Sequence, residues 1–403
     1  MSSKLWRNVA LAGVAAAGAA VWAVAPRTFN DKRRNFVPSI PEVWYAHRGL
    51  HDAGSGLVGY TDIADYGGDN PVSAQADTTE RSIAENDDYV SLARRMAVKA
   101  GYGSADMTGP IAPENSLAAF AAACEAGYGI ELDVQLTLDG QVVVVHDADL
   151  LRVAGDPRRI EDLTYDELAR IPLFPNGESG DLKAEPLPGA DANPPLVVTP
   201  SAAPKGYYQH VPLFSDVLDV VAGRAPLIVE YKFSNNRAWD ERSEELMEKG
   251  HALLEAYDGP YVIESFHPGA VNWYKEHHPE VCRGQLSWPA KLSKNGAAEW
   301  AAGLLAFDWL SRPDFVAYDW TGGASPQVKL ARSMGAMPVS WTVRSSDELA
   351  QCAPYSTATS SKRSSPTQCE VEGVIDAPMG RFTGSSGGNL PMGRFEEYVK
   401  PRN

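Results

Sequence analysis

Cysteine is scarce in this chain. Its 403 residues hold four, Cys124, Cys282, Cys352 and Cys369, and they show no metal-ligand spacing, which argues against a structural zinc site. Cys124 falls in the apolar run Leu117 to Ala126, where a buried free thiol is the ordinary expectation. Cys352 and Cys369 flank a Ser/Thr-rich loop, Tyr355 to Gln368, and would close it as a disulfide if that region were extracytoplasmic. Basic residues are also in short supply: 36 Lys plus Arg face 52 Asp plus Glu, a net charge of −16. A chain so charged repels polyanions, so no nucleic-acid partner is expected. From Gly384 onward apolar residues are too few to pack, and 384–403 is expected to be a flexible tail.

Long uncharged runs are confined to the N-terminus. Lys4 and Arg7 precede Asn8 to Ala25, rich in Ala, Gly and Val and ending at Pro26 and Arg27. This resembles the basic and apolar regions of a secretory signal, but Pro26 after Ala23-Val24-Ala25 should hinder cleavage. The preferred expectation is an uncleaved signal anchor with a basic linker over 1–35, placing the protein at the cell membrane through a single N-terminal helix; secretion is the alternative. Arg27, Lys32, Arg33 and Arg34 outnumber Lys4 and Arg7, which favours a cytoplasmic main domain, whereas signal character favours the outside. The side stays open.

The chemistry is concentrated elsewhere. Ile130-Glu131-Leu132-Asp133-Val134 places two carboxylates two apart in an apolar run, and Val142 to Val145 ends on His146-Asp147. Strand side chains alternate faces, so Glu131 and Asp133 point the same way into what is otherwise core. Burying adjacent like charges requires a cation or a shared proton, and the pair reads as a divalent-metal site beside a histidine. Trp44-Tyr45-Ala46 likewise delivers His47-Arg48-Gly49, and Pro226 to Val229 delivers Glu230-Tyr231-Lys232, with Glu230 and Lys232 on one face. Polar groups capping the C-terminal ends of apolar strands predict an α/β barrel active site.

The rest of the chain supports one large (β/α)8, or TIM, barrel over 36–383. Strands are expected at Val43, Ile130, Val142, Leu227 to Phe233, Tyr261 to Phe266, Val281 to Leu286, Phe315 to Asp319 and Val339 to Val343, with Val374-Ile375 as a spare. The tight turn Asp139-Gly140 pairs its two strands antiparallel and should return His146 to Glu131. Two insertions, about 50–111 and 174–206, follow strand ends and are expected at the catalytic face; the first carries a helix over Asp88 to Ala100 and acts as a lid or as inert decoration.

His47-Arg48-Gly49, Pro113-Glu114-Asn115-Ser116, Glu131-Leu132-Asp133, His146-Asp147 and Glu230-Tyr231-Lys232, in this order, resemble the glycerophosphodiester phosphodiesterase family. The resemblance implies a Mg²⁺ or Ca²⁺ ion held by Glu131, Asp133 and Glu230, with His47 and His146 as the acid and base, which is which being open. Arg48 and Lys232 would hold phosphoryl oxygens. Glu114 and Asn115 would orient those groups or bind glycerol hydroxyls, and Trp341 would wall the glycerol pocket or simply sit in the core. His267 stands where the family commonly has Asn or Asp, and Gly373-Val374-Ile375-Asp376 departs from its usual closing motif.

The expected activity is metal-dependent hydrolysis of a small-molecule or lipid-derived glycerophosphodiester to an alcohol and glycerol 3-phosphate. Two alternatives are a phospholipase C- or D-like hydrolase of phospho- or lysophospholipids, and a non-catalytic protein that binds a polyol phosphate such as teichoic acid.

Overall fold

The computed structural model describes residues 17–30, 40–41, 43–55, 57, 80–105, 109–174, 209–233, 238–356 and 358–361. Its main sheet has nine strands: β1 (Tyr45–His47), β2 (Gly129–Leu136), β3 (Val142–Val144), β4 (Leu227–Tyr231), β5 (Tyr261–Ser265), β6 (Arg283–Ser287), β7 (Phe315–Asp319), β8 (Met337–Val343) and β9 (Ala358–Ser361). Eight of them are parallel neighbours in the order β1, β2, β4, β5, β6, β7, β8, β9, and β1 pairs with both β2 and β9, which closes the ring. The barrel expected from strand and helix alternation is present.

β3 is antiparallel to β2, with Val134 opposite Val144, as the short Asp139-Gly140 turn predicts, Gly140 taking φ 74°. The expected set of eight is corrected in one respect: β3 stands outside the parallel ring. The eighth parallel position is filled by Ala358–Ser361, inside the stretch read from the sequence as a Ser/Thr-rich loop. Serine and threonine carry too little apolar surface to announce a strand, whereas β-branched Thr359 suits one. The spare strand at Val374-Ile375, Cys369, Asp376, the 384–403 tail and nearly all of the second insertion lie outside the described residues.

Alternation divides the strands. Tyr45, Ile228, Val262, Cys282, Phe315 and Val339 pack together inside the ring. A Cβ at Gly284 would fall 2.0 Å from the Phe315 ring, so glycine there lets that ring fill the interior. The opposite faces, with Ile130, Leu132, Val134, Val229 and Ile263, bury against an outer helical layer. That layer includes α1 (Glu80–Lys99), α2 (Leu117–Ala126), α3 (Phe214–Val221), α4 (Glu241–Glu255), α5 (Pro268–His277), α6 (Leu292–Gly303), α7 (Pro326–Ser333) and α8 (Ser346–Cys352). Burial of each large apolar side chain contributes roughly 1.5–3 kcal/mol, so this two-sided packing dominates the fold's stability.

The first insertion is tied into the outer layer. Within it α1 packs on α2 through Tyr89, Ala93 and Ala97. Asp52 accepts from Ile111 N at 2.9 Å, Ala112 N at 2.8 Å and Arg94 Nη1 at 2.8 Å, joining both ends of the insertion to the helix. Glu85, one turn from the start of α1, accepts from Ser346 at the N-terminus of α8.

Residues 17–24 are helical, and the segment 17–30 is fastened to the barrel where strands begin. Arg27 pairs with Asp314 at 2.9 Å and donates to Val281 O; Thr28 donates to Met334 O; Arg312 donates to Trp22 O and Ala25 O. Val24 joins Val316 and Tyr318 in a small core, and Trp22 stacks on Trp309. Among the described residues no helix is long and apolar enough to cross a membrane.

Candidate active site

Each polar group reaches the barrel mouth through a local sequence device. His47 is the last residue of β1, in register with Glu131. Arg48 (φ 60°) and Gly49 (φ 80°) then turn the chain sharply, and a Cβ at Gly49 would lie 2.8 Å from Ala119 Cβ, so only glycine fits against α2. Ser116 caps α2 by accepting from Ala119 N at 3.2 Å, and Gly127 (φ 78°) ends it. The cap fixes Asn115, itself at φ 55°, whose Nδ2 donates to Asp133 Oδ2 at 2.9 Å. Asp133 pairs in register with Glu230, and Glu230 with Glu264.

The three predicted metal ligands come together. Oxygens of Glu131, Asp133 and Glu230 lie within 4.8 Å of one another, and all three residues are buried. Lys232 Nζ stands 3.1 Å from Glu230 Oε1 and 3.6 Å from Asp133 Oδ1. Arg48 donates from its backbone N to Glu131 Oε2 at 3.0 Å, and its Nε is 3.6 Å from Asp133 Oδ2. His47 Nε2 is 3.8 Å from Glu131 Oε2. The β2–β3 hairpin returns the second histidine to Asp133 rather than Glu131, since Val145 N donates to Asp133 O at 3.0 Å.

Electrostatics follow from burial and crowding. Burial, then the charges of Asp133, Glu230 and Glu264, holds Glu131 well above the usual carboxylate range. Burial raises Glu230 to about 7 against the pull of Lys232. Burial would raise Asp133 too, but His146, Lys232 and Arg48 outweigh it and bring it to about 2. Burial together with Arg48 and Lys232 lowers His146 to about 4, which leaves the imidazole neutral at pH 7.

Glu114 is enclosed by hydrogen-bond donors. Its Oε1 accepts from Arg48 Nη1 at 2.8 Å and Arg152 Nη2 at 2.6 Å, its Oε2 from Ser55 N at 2.6 Å, and the side chain is 1% exposed. Trp341 packs edge-on to Phe266, half-buried, and its Nε1 has no hydrogen-bond partner among the described residues. His267 caps α5, accepting from Gly269 N, and packs on Phe233 and Trp239.

Glu264 and Arg152 carry no expectation from the sequence, and Asp147 enters there only as part of the His146-Asp147 motif, without a role. Glu264, on β5, adds a fourth buried carboxylate beside Glu230, raised by burial and then by Glu230 and Asp133. The alternation that exposed Glu131 and Asp133 applies equally to Val262-Ile263-Glu264 and would have found it. Asp147 and Arg152 are joined at 2.7 Å beside His146; their pairing depends on a short helix, Leu151–Ala154, that no periodicity announces.

The model of the glycerophosphoryl diester phosphodiesterase family matches residues 103–358, more than half of the chain, and the chain belongs to that family. It is 28% identical over 179 residues to a glycerophosphodiester phosphodiesterase of Bacillus altitudinis, covering 42% of this chain and 59% of that protein. It is 26% identical over 256 residues to glycerophosphodiester phosphodiesterase 1 of Bos taurus, covering 59% of this chain and 70% of that one. The chain thus spans less than two thirds of the length of the Bacillus relative. Among solved structures, an Oleispira antarctica phosphodiesterase in complex with sn-glycerol-3-phosphate is similar at a TM-score of 0.47 and 19% identity, over 66% of this chain and 92% of that one.

Proposed function

We propose that this protein hydrolyses glycerophosphodiesters to an alcohol and glycerol 3-phosphate, with a divalent cation at Glu131, Asp133 and Glu230. The observation that carries the reading is the meeting of three buried carboxylates at one barrel mouth with two imidazoles, a guanidinium and an ammonium around them.

The donor set fits a hard cation. All three groups offer oxygen, Asp133 Oδ1 is buried and accepts no hydrogen bond among the described residues, and burial, followed by the neighbouring carboxylates, raises Glu131. When bound, Mg²⁺ or Ca²⁺ would neutralise the carboxylates and polarise phosphoryl oxygens. Arg48 and Lys232 are placed to hold the remaining phosphoryl charge as it accumulates. A neutral His146 suits the role of proton acceptor from the attacking hydroxyl or water, and His47, beside the Glu131 carboxylate, suits the donor to the leaving alkoxide. Trp341, whose indole N–H has no hydrogen-bond partner among the described residues, would contact the glycerol.

The test is turnover by the full chain of glycerophosphocholine, glycerophosphoethanolamine and lysophosphatidylcholine, in EDTA and after Mg²⁺ or Ca²⁺ is restored. Cation-dependent release of glycerol 3-phosphate from the two diesters is expected. Turnover of the lysolipid alone would replace this reading with a phospholipase, and no turnover of any of the three would leave a binding protein.

A further inference from the structure

A continuous line of hydrogen bonds joins the second histidine to the guanidinium at the mouth. His146 Nδ1 is 2.7 Å from Asp147 Oδ1, and Asp147 Oδ2 accepts from Arg152 Nε at 2.7 Å. Arg152 Nη2 donates to Glu114 Oε1 at 2.6 Å, and that same oxygen accepts from Arg48 Nη1 at 2.8 Å. Arg152 is 15% exposed at its side chain and touches none of the three carboxylates that converge at the mouth.

The two ends of this guanidinium serve different partners. A fork with fixed angles between its N–H groups sets the separation of Asp147 and Glu114, which a lysine, a single point of charge, does not. Held by Arg152, with His146 adding to it against the effect of burial, the Asp147 carboxyl stays well below its usual range and is acceptor-only. The proton between Asp147 and His146 therefore belongs to Nδ1, and Nε2 is the nitrogen left for chemistry. We propose that Arg152 is a positioning residue: through Asp147 it fixes the tautomer and ring plane of His146, and through Glu114 it fixes Arg48. One guanidinium thereby sets the proton-transfer group and the phosphate-holding group in a common frame. The kinetic half of this inference rests on the hydrolase reading; the tautomer half does not.

Both halves are measurable on the full chain. With ¹⁵N-labelled histidine, and His146→Gln to assign the signals, the wild-type His146 is expected as the Nδ1–H tautomer, and Arg152→Met as a mixture. On glycerophosphocholine, Arg152→Met is expected to lower kcat about 10–100-fold, the range typical of groups that orient ligands, with KM moving less than about threefold. Arg152→Lys should recover part of kcat. Asp147→Asn keeps the volume and removes the charge, so it should reproduce the tautomer change even if Arg152→Met does not fold, and the double variant should be no worse than the worse single one. A wild-type Nε2–H tautomer, or an Nδ1–H tautomer retained in both Asp147→Asn and Arg152→Met, would overturn the proposal. If the wild type turns over no diester, the hydrolase reading falls and the tautomer measurement still decides this one.

Discussion

Asp133 and Glu230 stand opposite each other across the β2–β4 seam, their Cα positions paired in parallel register. Two neighbouring strands thus aim carboxylates at one point, with Glu131 two residues earlier on the same face. Such a cluster is held together by opposite charge, and without a cation it is a source of repulsion.

The first prediction follows from that repulsion. Glu131→Gln is expected to abolish diester turnover and to weaken cation binding, measured calorimetrically. In EDTA at pH 8 the same variant should be more stable than wild type by about 1–2 kcal/mol, since a buried like charge is gone. Denaturant unfolding with and without Mg²⁺ checks the reversal of sign.

The histidines separate chemistry from metal binding. His47→Ala and His146→Ala should each lower kcat by roughly 10²–10⁴-fold, the usual contribution of general acid–base groups, with cation affinity retained. Near-normal turnover in either variant would remove that residue from the scheme.

The environment of His146 gives a pH prediction with a definite sign. Its folded-state value is near 4 against 6.5 for the free side chain. Between those values the unfolded chain binds more protons, so stability present above pH 6.5 is lost as pH falls toward 4, by on the order of 3 kcal/mol. Relative to His146→Gln, the wild type should lose stability across that window in chemical denaturation. A constant difference between the two would refute the assignment of a buried neutral imidazole.

Gly49 tests the loop that aims Arg48. At φ 80°, and with Ala119 where a Cβ would go, Gly49→Ala is expected to destabilise by roughly 3 kcal/mol, combining left-handed strain with overpacking. Turnover should fall as well, because Arg48 N would leave Glu131 Oε2.

Much of the site was legible because its residues interrupt apolar strands, where a charge is costly unless something offsets it. Glu131, Asp133, Glu230, Lys232 and His47 all stood at or near the ends of such runs; alternation put Glu131 with Asp133, and Glu230 with Lys232, on one face of their strands, and the strand-end pattern brought the three strands to one mouth. Glu264 carried the same signal. Asp147 and Arg152 did not, since their partnership is made by the tertiary path of a loop. The barrel was legible from its spacing, but its eighth strand is a run of Ala, Thr and Ser with no apolar pattern, and the hydrophobic β3 drew attention in its place. At the N-terminus the uncharged stretch from Asn8 lies outside the described residues as far as residue 16, and what composition could not reveal is that Arg27, which follows it, is matched by Asp314 on the barrel.

That last pair has a directional consequence. Residues 17–30 are pinned beside Val281, Asp314 and Met334, the floor from which the strands rise, while catalysis would take place at the rim. The segment therefore leaves the rim clear, and a diester approaching the carboxylates from that side meets none of residues 17–30.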